Sequence, residues 1–338
     1  MSLVPLARST AAVATASLAS CAAALALLVG VGPAQSAPAP GRPRVLAISI
    51  DGLNVDALER LGRAGTPNFH RLLRQGASTR NARTERELTI TLPNHTGMLT
   101  GRRVARDRNG HGVTWNDDLP GATVQQGAGH PVGSVFGVVH RAGRSTALFS
   151  TKTKFSLFNR SWGHAIDRFH VDERQTQLVR SARRDLANRH RAFTFLHLSL
   201  PDRAGHAHGF MSPAYLDAVR RTDGLLGKVL ATIRNHPGLT RNLTVVLTAD
   251  HGGAGPDHSD PRKLANYRVP FVAWGAGVRA GNLYDLNPDY VNPGSGRPTY
   301  AGAQPVRNGD VANLSTDLLG LGAVPGSELD AAQNLDVR

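Results

Sequence analysis

Three short apolar segments constrain the fold of this chain most, because each runs directly into ionisable side chains. They are residues 44–50 before Asp51, residues 193–200 before Asp202, and residues 243–249 before Asp250 and His251. Segments that are apolar on both faces are typical of buried strands in a mostly parallel sheet. The carboxyl ends of such strands meet at one edge, where open α/β sheets bind ligands. We therefore expect a polar site at that edge.

Helical patterns alternate with these strands and favour an α/β fold, with a mostly parallel central sheet covered by helices on both faces. Further strands are expected over residues 147–150 and 269–274. Helices are expected over residues 67–74, 94–99, 173–190 and 213–235, and over residues up to 319 from a cap at Asp310.

The N-terminal residues 1–36 have the pattern of a secretory signal peptide. Their one charged side chain is Arg8, an apolar run follows over residues 11–31, and small residues stand before Ala37. We predict export, an extended linker over residues 37–43, and a single catalytic domain over residues 44–338 in which residues 101–170 shape the substrate pocket. The alternatives are a membrane anchor, through an uncleaved run or through a lipidated Cys21.

Removal of this segment leaves a chain without thiols, since Cys21 is the only cysteine. Disulfides and thiolate metal ligands are then excluded. The formal net charge falls from +14 to +13 with the loss of Arg8, and such an excess attracts anionic partners. A non-catalytic, polyanion-binding exported protein is therefore an alternative function. Aromatic residues make up only 5% of the chain, so no specific nucleic-acid site is expected.

The ionisable residues near the predicted sheet edge form a set of carboxylates and imidazoles suited to metal binding. Mixed oxygen and nitrogen ligands favour Zn²⁺, with Mn²⁺ or iron as alternatives. Six ligands exceed the needs of one catalytic ion, so two divalent ions ~4 Å apart fit the set better. His208 competes with His206 for one position. The candidate ligands are Asp51, Asp202, His206, Asp250, His251 and His258.

Thr91 is the candidate nucleophile, because it stands at the start of a predicted short helix whose N–H groups favour anions. A nearby dication would lower the pKa of its hydroxyl group. Thr89 is the nearest competitor. His95 is predicted to pack structurally, and Lys152 and Lys154 are predicted to lie on a solvated loop rather than to bind phosphate. The other histidines, His197 among them, are predicted to be surface or core residues.

The order of these motifs resembles the alkaline phosphatase superfamily, and most of all its type I phosphodiesterase/nucleotide pyrophosphatase family. The resemblance extends over residues 44–320 and implies an alkaline-phosphatase-like fold. The motifs that carry it are Asp51-Gly52, the run from Thr91 to His95, Asp202 with His206, Asp250-His251-Gly252, and the later His258.

The resemblance also implies roles for individual residues. One zinc ion would be held by Asp51, Thr91, Asp250 and His251, and the other by Asp202, His206 and His258. Asn116 would contact the phosphoryl oxygen.

The implied activity is that of a secreted, metal-dependent phosphoric ester hydrolase acting on a small-molecule ester through a phosphothreonine at Thr91. Diesters or pyrophosphates are favoured, and a phosphomonoesterase of the same superfamily is the alternative. A sulfatase is disfavoured, since the chain has no Cys/Ser-x-Pro-x-Arg motif.

Overall fold

A computed structural model describes residues 41–338 of the chain. The predicted signal peptide and most of the predicted linker lie outside the described residues. Within them, no helix combines the length and the apolar character needed to cross a bilayer.

An eight-stranded sheet forms the centre of the fold, with the order β4-β3-β5-β1-β6-β7-β2-β8. Neighbouring strands are parallel except that β7 runs antiparallel to both β6 and β2. The prediction of a mostly parallel sheet is confirmed. The strands are β1 (Arg44–Ile50), β2 (Ala77–Arg83), β3 (Thr146–Ser150), β4 (Arg168–Val171), β5 (Phe193–Leu198), β6 (Leu243–Thr248), β7 (Arg268–Gly275) and β8 (Gly281–Asn282).

The three strands that precede the candidate ligands lie side by side in the middle of this sheet. β1 pairs in parallel with β5 on one side and with β6 on the other, and Ser49 lies opposite both His197 and Thr248. All residues of the three strands are buried, as their continuous apolar sequences predict. Their carboxyl ends therefore meet at one edge, with the ionisable residues directly beyond.

Two groups of helices cover the sheet. One contains α1, α2, α7, α9 and α10, and the other contains α3, α5 and α13, which packs on β1 and β6. The helices are α1 (Val55–Gly65), α2 (Pro67–Gln75), α3 (Thr91–Thr100), α4 (Val124–Ala128), α5 (Val135–Arg141), α6 (Ser156–Trp162), α7 (Gln175–Asn188), α8 (Leu200–His208), α9 (Pro213–Arg234), α10 (Pro237–Asn242), α11 (Leu264–Tyr267), α12 (Leu283–Leu286) and α13 (Val311–Leu318).

The predicted helices are present, with three differences in detail. Helix α3 begins at Thr91 rather than near residue 94, because the Asn94 N–H donates to Ile90 O and so closes the first turn. The segment expected as a strand over residues 193–200 ends at Leu198, and α8 begins at Leu200. Asp310 occupies the N-cap of α13, but its side chain makes no capping hydrogen bond.

Candidate functional site

The ends of β1 and β5 are joined at the sheet edge by backbone hydrogen bonds. The Asp51 N–H donates to Leu198 O at 2.9 Å, and the Asp202 N–H donates to Asp51 O at 3.2 Å. Gly52 adopts a φ of +69°, and a Cβ there would lie 2.9 Å from Asp202 Cα. Only glycine satisfies both the left-handed backbone and this close approach. The Asp-Gly step therefore brings the Asp51 and Asp202 side chains together.

Helix α8 places Asp202 and His206 on one face, four residues apart. His206 Nε2 lies 3.3 Å from Asp202 Oδ1, and its side chain is 51% exposed. His208, two residues further on, is exposed, and no hydrogen bond or ion pair joins it to another part of residues 41–338. The geometry thus brings His206, rather than His208, to the cluster.

The strand end of β6 supplies Asp250 and His251, and the following loop supplies His258. The rings of His251 and His258 stack with centroids 3.6 Å apart and an interplanar angle of 8°. His258 Nε2 lies 3.6 Å from Asp202 Oδ1 and 3.0 Å from His206 Nε2. His251 Nε2 lies 3.2 Å from Asp250 Oδ2 and 3.4 Å from Asp51 Oδ1. All six predicted carboxylates and imidazoles therefore converge.

Four atoms of this cluster are buried without a hydrogen-bond partner, namely Asp51 Oδ1, Asp202 Oδ1, Asp250 Oδ2 and His251 Nε2. Unpaired buried polar atoms are costly. Among residues 41–338, Lys152 is the one lysine that pairs with the three buried carboxylates, and it contacts only Asp51 and Asp202. A site with this excess of negative charge and with free oxygen and nitrogen donors fits divalent cations such as Zn²⁺.

The donor atoms form two overlapping groups rather than two separate sets. One group contains Asp51, Asp250 and His251, and the other contains Asp202, His251 and His258. His251 belongs to both, since its Nε2 also lies 4.0 Å from Asp202 Oδ1. The expected sets placed His251 with one ion only.

The carboxyl groups of Asp51, Asp202 and Asp250 have different pKa values, because burial and neighbouring charges act on each of them differently. Burial acts to raise the pKa of Asp51, but Lys152 and His197 bring it well below the usual range. Burial and the repulsion from Asp51 hold the pKa of Asp250 well above its usual value. The pKa of Asp202 falls to about 2, because His206 and Lys152 outweigh the effects of burial and of Asp51. Asp51 and Asp202 are thus ionised at neutral pH and ready to bind a cation.

Thr91 lies at the N-terminus of α3, beside the carboxylate cluster. Its Oγ1 is 3.4 Å from Lys152 Nζ, and the first turn contains no acidic residue. The Leu92 N–H donates to Asn116 Oδ1 at 3.0 Å, which places Asn116 against the same turn. The Thr89 hydroxyl instead donates to the backbone oxygen of His258. Thr91, rather than Thr89, has its hydroxyl beside the cluster.

Asn94 and His95 hold the N-terminal turn of α3 in place. Asn94 Oδ1 accepts the Glu85 N–H at 2.9 Å, and its Nδ2 donates to Ile90 O at 3.0 Å. His95 is fully buried, with Nδ1 2.8 Å from Thr91 O and Nε2 2.8 Å from Ser49 Oγ. This is the structural packing predicted for His95.

The prediction of a solvated loop is wrong for Lys152. Its Nζ lies 2.6 Å from Asp51 Oδ2 and 2.6 Å from Asp202 Oδ2, and its side chain is only 14% exposed. Lys154 is half-buried, and burial followed by repulsion from Lys152 lowers its pKa. The signal that could have identified Lys152 is its position two residues beyond β3, at the same sheet edge as the ligands.

His197 is a second functional contact that the sequence did not indicate. It is buried within β5, as a core histidine would be, but its Nε2 lies 2.9 Å from Asp51 Oδ2 and its Nδ1 lies 3.0 Å from Ser150 Oγ. Burial lowers the pKa of His197, so the ring is neutral and Nε2–H donates to Asp51. This donor leaves Asp51 Oδ1 directed at His251.

His197→Leu is expected to weaken metal retention by about 10- to 100-fold, because it removes the donor that orients a candidate ligand. The measurement is zinc content after dialysis against graded chelator. His197→Gln, which keeps a donor, is the matched control and should retain more metal. Identical retention curves for wild type and His197→Leu would show that the hydrogen bond does not support metal binding.

The chain is similar in sequence to one protein family and to parts of several curated proteins. The sequence profile of the type I phosphodiesterase / nucleotide pyrophosphatase family matches residues 45–295. Among curated proteins, GPI ethanolamine phosphate transferase 1 of Schizosaccharomyces pombe is 30% identical over 96 residues, which cover 28% of this chain and 10% of that protein. The same-named protein of Mus musculus is 28% identical over 92 residues, which cover 27% and 10%. The matched parts thus span about a tenth of these relatives.

Solved structures share the fold at low sequence identity. Murine ectonucleotide pyrophosphatase / phosphodiesterase 5 in complex with AMP has a TM-score of 0.61 and 15% identity, over 87% of this chain and 99% of that chain. A 2-O GAG sulfatase has a TM-score of 0.60 and 14% identity, over 84% and 72%. With an alkaline-phosphatase-like fold and a family profile that matches from the first residues of β1 to beyond β8, this chain belongs to the type I phosphodiesterase / nucleotide pyrophosphatase family.

Proposed function

We propose that this protein is an exported, metal-dependent hydrolase of phosphodiesters or pyrophosphates in which Thr91 is the nucleophile. The observation that carries the proposal is the position of the Thr91 hydroxyl. It lies at the N-terminus of α3 and 3.4 Å from a lysine that bridges two site carboxylates. A hydroxyl and a cation that meet at the N-terminal end of a helix suit attack on a phosphoryl group.

The carboxylates and imidazoles of the site supply the ligands for two divalent ions, which we propose to be Zn²⁺. Such ions would lower the pKa of a neighbouring hydroxyl and offset the charge of phosphoryl oxygens. The buried, unpartnered atoms on Asp51, Asp202, Asp250 and His251 support this assignment. His206 and His258, within 3.6 Å of Asp202 Oδ1, complete the ligand set.

The reaction uses Thr91 twice. Its Oγ1 attacks phosphorus and forms a phosphothreonine, while the bond from phosphorus to the first alkoxide or phosphate group breaks and that group leaves with the hydroxyl proton. Water then adds to the phosphothreonine, the bond to Thr91 Oγ1 breaks, and the hydroxyl takes back a proton. The rest of the substrate is released as a phosphate monoester.

Lys152 and Asn116 are placed to stabilise the phosphoryl oxygens during both steps. Lys152 remains an ammonium group, since the attraction of Asp51 and Asp202 outweighs burial and raises its pKa. Asn116 uses its carbonyl oxygen to accept the Leu92 N–H, so its amide N–H groups are the part left to donate. Donors preorganised where charge develops are the main source of such catalysis.

A diester or pyrophosphate substrate is supported by the cations around Thr91. No arginine in residues 41–338 forms an ion pair with Asp51, Asp202 or Asp250, and the cation paired with Asp51 and Asp202 is Lys152. The carboxylates offset much of the charge of the two proposed ions, and one further ammonium group suits a phosphoryl group with one ionised oxygen better than one with two. A phosphomonoesterase is the alternative that the same site chemistry allows.

A second candidate is transfer of the phosphoryl group to an alcohol instead of water. The curated relatives that match this chain are named as ethanolamine phosphate transferases, and a phosphothreonine can be resolved by either acceptor. His206 is half-exposed, so the site is open to an acceptor on that side.

The proposal is tested with the purified protein, its metal content, and a pair of chromogenic substrates. With zinc supplied, we expect bis-p-nitrophenyl phosphate to be cleaved faster than p-nitrophenyl phosphate, and chelator to remove the activity reversibly. Faster cleavage of the monoester would identify a phosphomonoesterase. Added ethanolamine or glycerol that diverts product into a new diester would identify a transferase. Salt-dependent retention of DNA without any hydrolysis would contradict the proposed hydrolase activity and favour a polyanion-binding protein.

A further inference from the structure

A second group of carboxylates lies in a cavity of about 380 Å³ between α13, the loop after α12 and the C-terminal segment. Its lining includes Asp310 and Asp330, the hydroxyl group of Tyr290, and the amide side chains of Gln304 and Asn334. The lining contains no histidine or cysteine. All its side-chain donors for a metal are therefore oxygen atoms, in contrast to the imidazole-rich cluster around Thr91.

Asp330, which lines this cavity, has one carboxylate oxygen without a partner. The residue is only 8% exposed, and its Oδ2 is buried without a hydrogen-bond partner. Its Oδ1 accepts the Tyr290 hydroxyl at 3.1 Å and the Asn334 and Leu335 N–H groups at 2.9 and 3.1 Å. One carboxylate oxygen is thus fully used, and the other lacks the partner that a buried charge requires.

The charges of the cavity do not balance. Glu328 is paired with Arg103 at 2.8 Å. The Arg307 guanidinium donates to Thr84 O, Pro298 O and Gln304 Oε1 and forms no ion pair with a carboxylate of residues 41–338. Asp310 and Asp330 keep no cationic partner among residues 41–338. Burial and repulsion from Asp330 hold the pKa of Asp310 well above its usual value, and burial raises the pKa of Asp330 to about 6. Without a cation, the pair resists full ionisation.

We propose that this cavity is a calcium site in which the carboxylates of Asp310 and Asp330 are the charged ligands. The side chains of Tyr290 and Asn334 supply further oxygen atoms. Hard oxygen donors without imidazole or thiolate select calcium or magnesium over zinc. A roomy cavity bordered by a loop suits the larger and less regular coordination of calcium rather than the compact octahedron of magnesium.

A calcium ion at this site would stabilise the loop that contacts the C-terminal end of α3, the helix that begins at Thr91. The loop that carries Asp330 donates the Glu328 and Leu329 N–H groups to Gly101 O at the C-terminal end of α3. Asn313, on α13, donates to Leu329 O at 2.7 Å. A cation held between Asp310 and Asp330 would therefore join α13 to the loop that closes α3. This effect concerns stability and stands whether or not the proposed activity is correct.

The test is the melting temperature of the full-length, zinc-saturated protein titrated with calcium chloride, with binding stoichiometry from calorimetry. We expect one calcium per chain, and a rise of about 5 °C at a hundredfold excess over the dissociation constant. Asp330→Asn should lose this rise. Its amide oxygen can still accept the Asn334 N–H, so we expect it to fold, with a calcium-free melting temperature no lower than that of wild type. Asp285→Asn removes an exposed charge on α12 and should keep the rise.

Several outcomes would overturn the calcium site. They are the absence of a calcium-dependent rise in wild type, a rise that persists in Asp330→Asn, and an equal rise with magnesium chloride. If Asp330→Asn does not fold, Asp310→Asn and terbium luminescence of the wild-type protein replace it. Tyr290 should sensitise bound terbium, calcium should displace the signal, and Tyr290→Phe should abolish it. A signal that calcium does not displace would also contradict the proposal.

Discussion

Thr91→Ala should lower kcat toward bis-p-nitrophenyl phosphate by at least ~10³-fold, because it removes the oxygen that forms the covalent intermediate. The protein should fold and keep most of its zinc, because three of the four ligands expected for the first ion remain after the Thr91 oxygen is lost. The Thr91 hydroxyl makes one long contact, at 3.4 Å to Lys152, while the carboxylates and imidazoles remain in place. Loss of turnover without loss of metal would assign the defect to chemistry rather than to assembly of the site.

Two further variants of the same helix sharpen this test. Thr91→Ser keeps a hydroxyl and should retain a measurable fraction of the activity. Thr100→Ala removes the same atoms at the other end of α3, where the hydroxyl donates to Thr96 O and accepts the Arg102 N–H, and should leave kcat within about threefold of wild type. Acid quench of wild type should trap phosphothreonine at position 91. Thr91→Ala activity within tenfold of wild type would rule out the nucleophile assignment.

Most of the candidate metal cluster could be predicted from the sequence, because its carboxylate ligands directly follow buried strands. Asp51, Asp202 and Asp250 follow three buried apolar strands, and parallel pairing of those strands leaves little freedom in where the carboxylates meet. The central sheet was predictable for the same reason, since continuous apolar segments such as β1 have few other places to go. Strand β2 was not predictable, because its sequence is largely polar and it lies near the edge of the sheet.

The contacts that the sequence did not reveal depend on side-chain direction. Lys152 lies in a polar segment with the composition of a solvated loop. Its ammonium group reaches Asp51 and Asp202 because β3 ends at the same sheet edge as β5 and β1. His197 is one of several residues in the apolar strand β5. It contacts Asp51 because the pairing of β5 with β1 sets His197 opposite Ser49, two residues before Asp51. The sharing of His251 between two donor groups likewise follows from distances rather than from spacing along the chain.

Lys152→Met is expected to lower kcat by about 10²- to 10³-fold, since it removes a preorganised charge beside the attacked phosphoryl group. It should also destabilise the metal-free protein by ~3–5 kcal/mol, because Asp51 and Asp202 lose the one lysine among residues 41–338 that is paired with both of them. With zinc bound, this second effect should largely disappear, since the ions offset the same carboxylates. The increase in melting temperature on adding zinc should therefore be larger in Lys152→Met than in wild type.

Lys154→Met is the matched control, because Lys154 is half-buried on the same loop but forms no ion pair within residues 41–338. Denaturant unfolding of each protein, with and without zinc, measures the stability difference, and steady-state kinetics at saturating zinc measures kcat. If Lys152 only balances charge in the metal-free protein, Lys152→Met will lose stability without zinc but keep its kcat. A fall in kcat at full zinc occupancy is what distinguishes a lysine that contacts the substrate from one that merely holds two carboxylates apart.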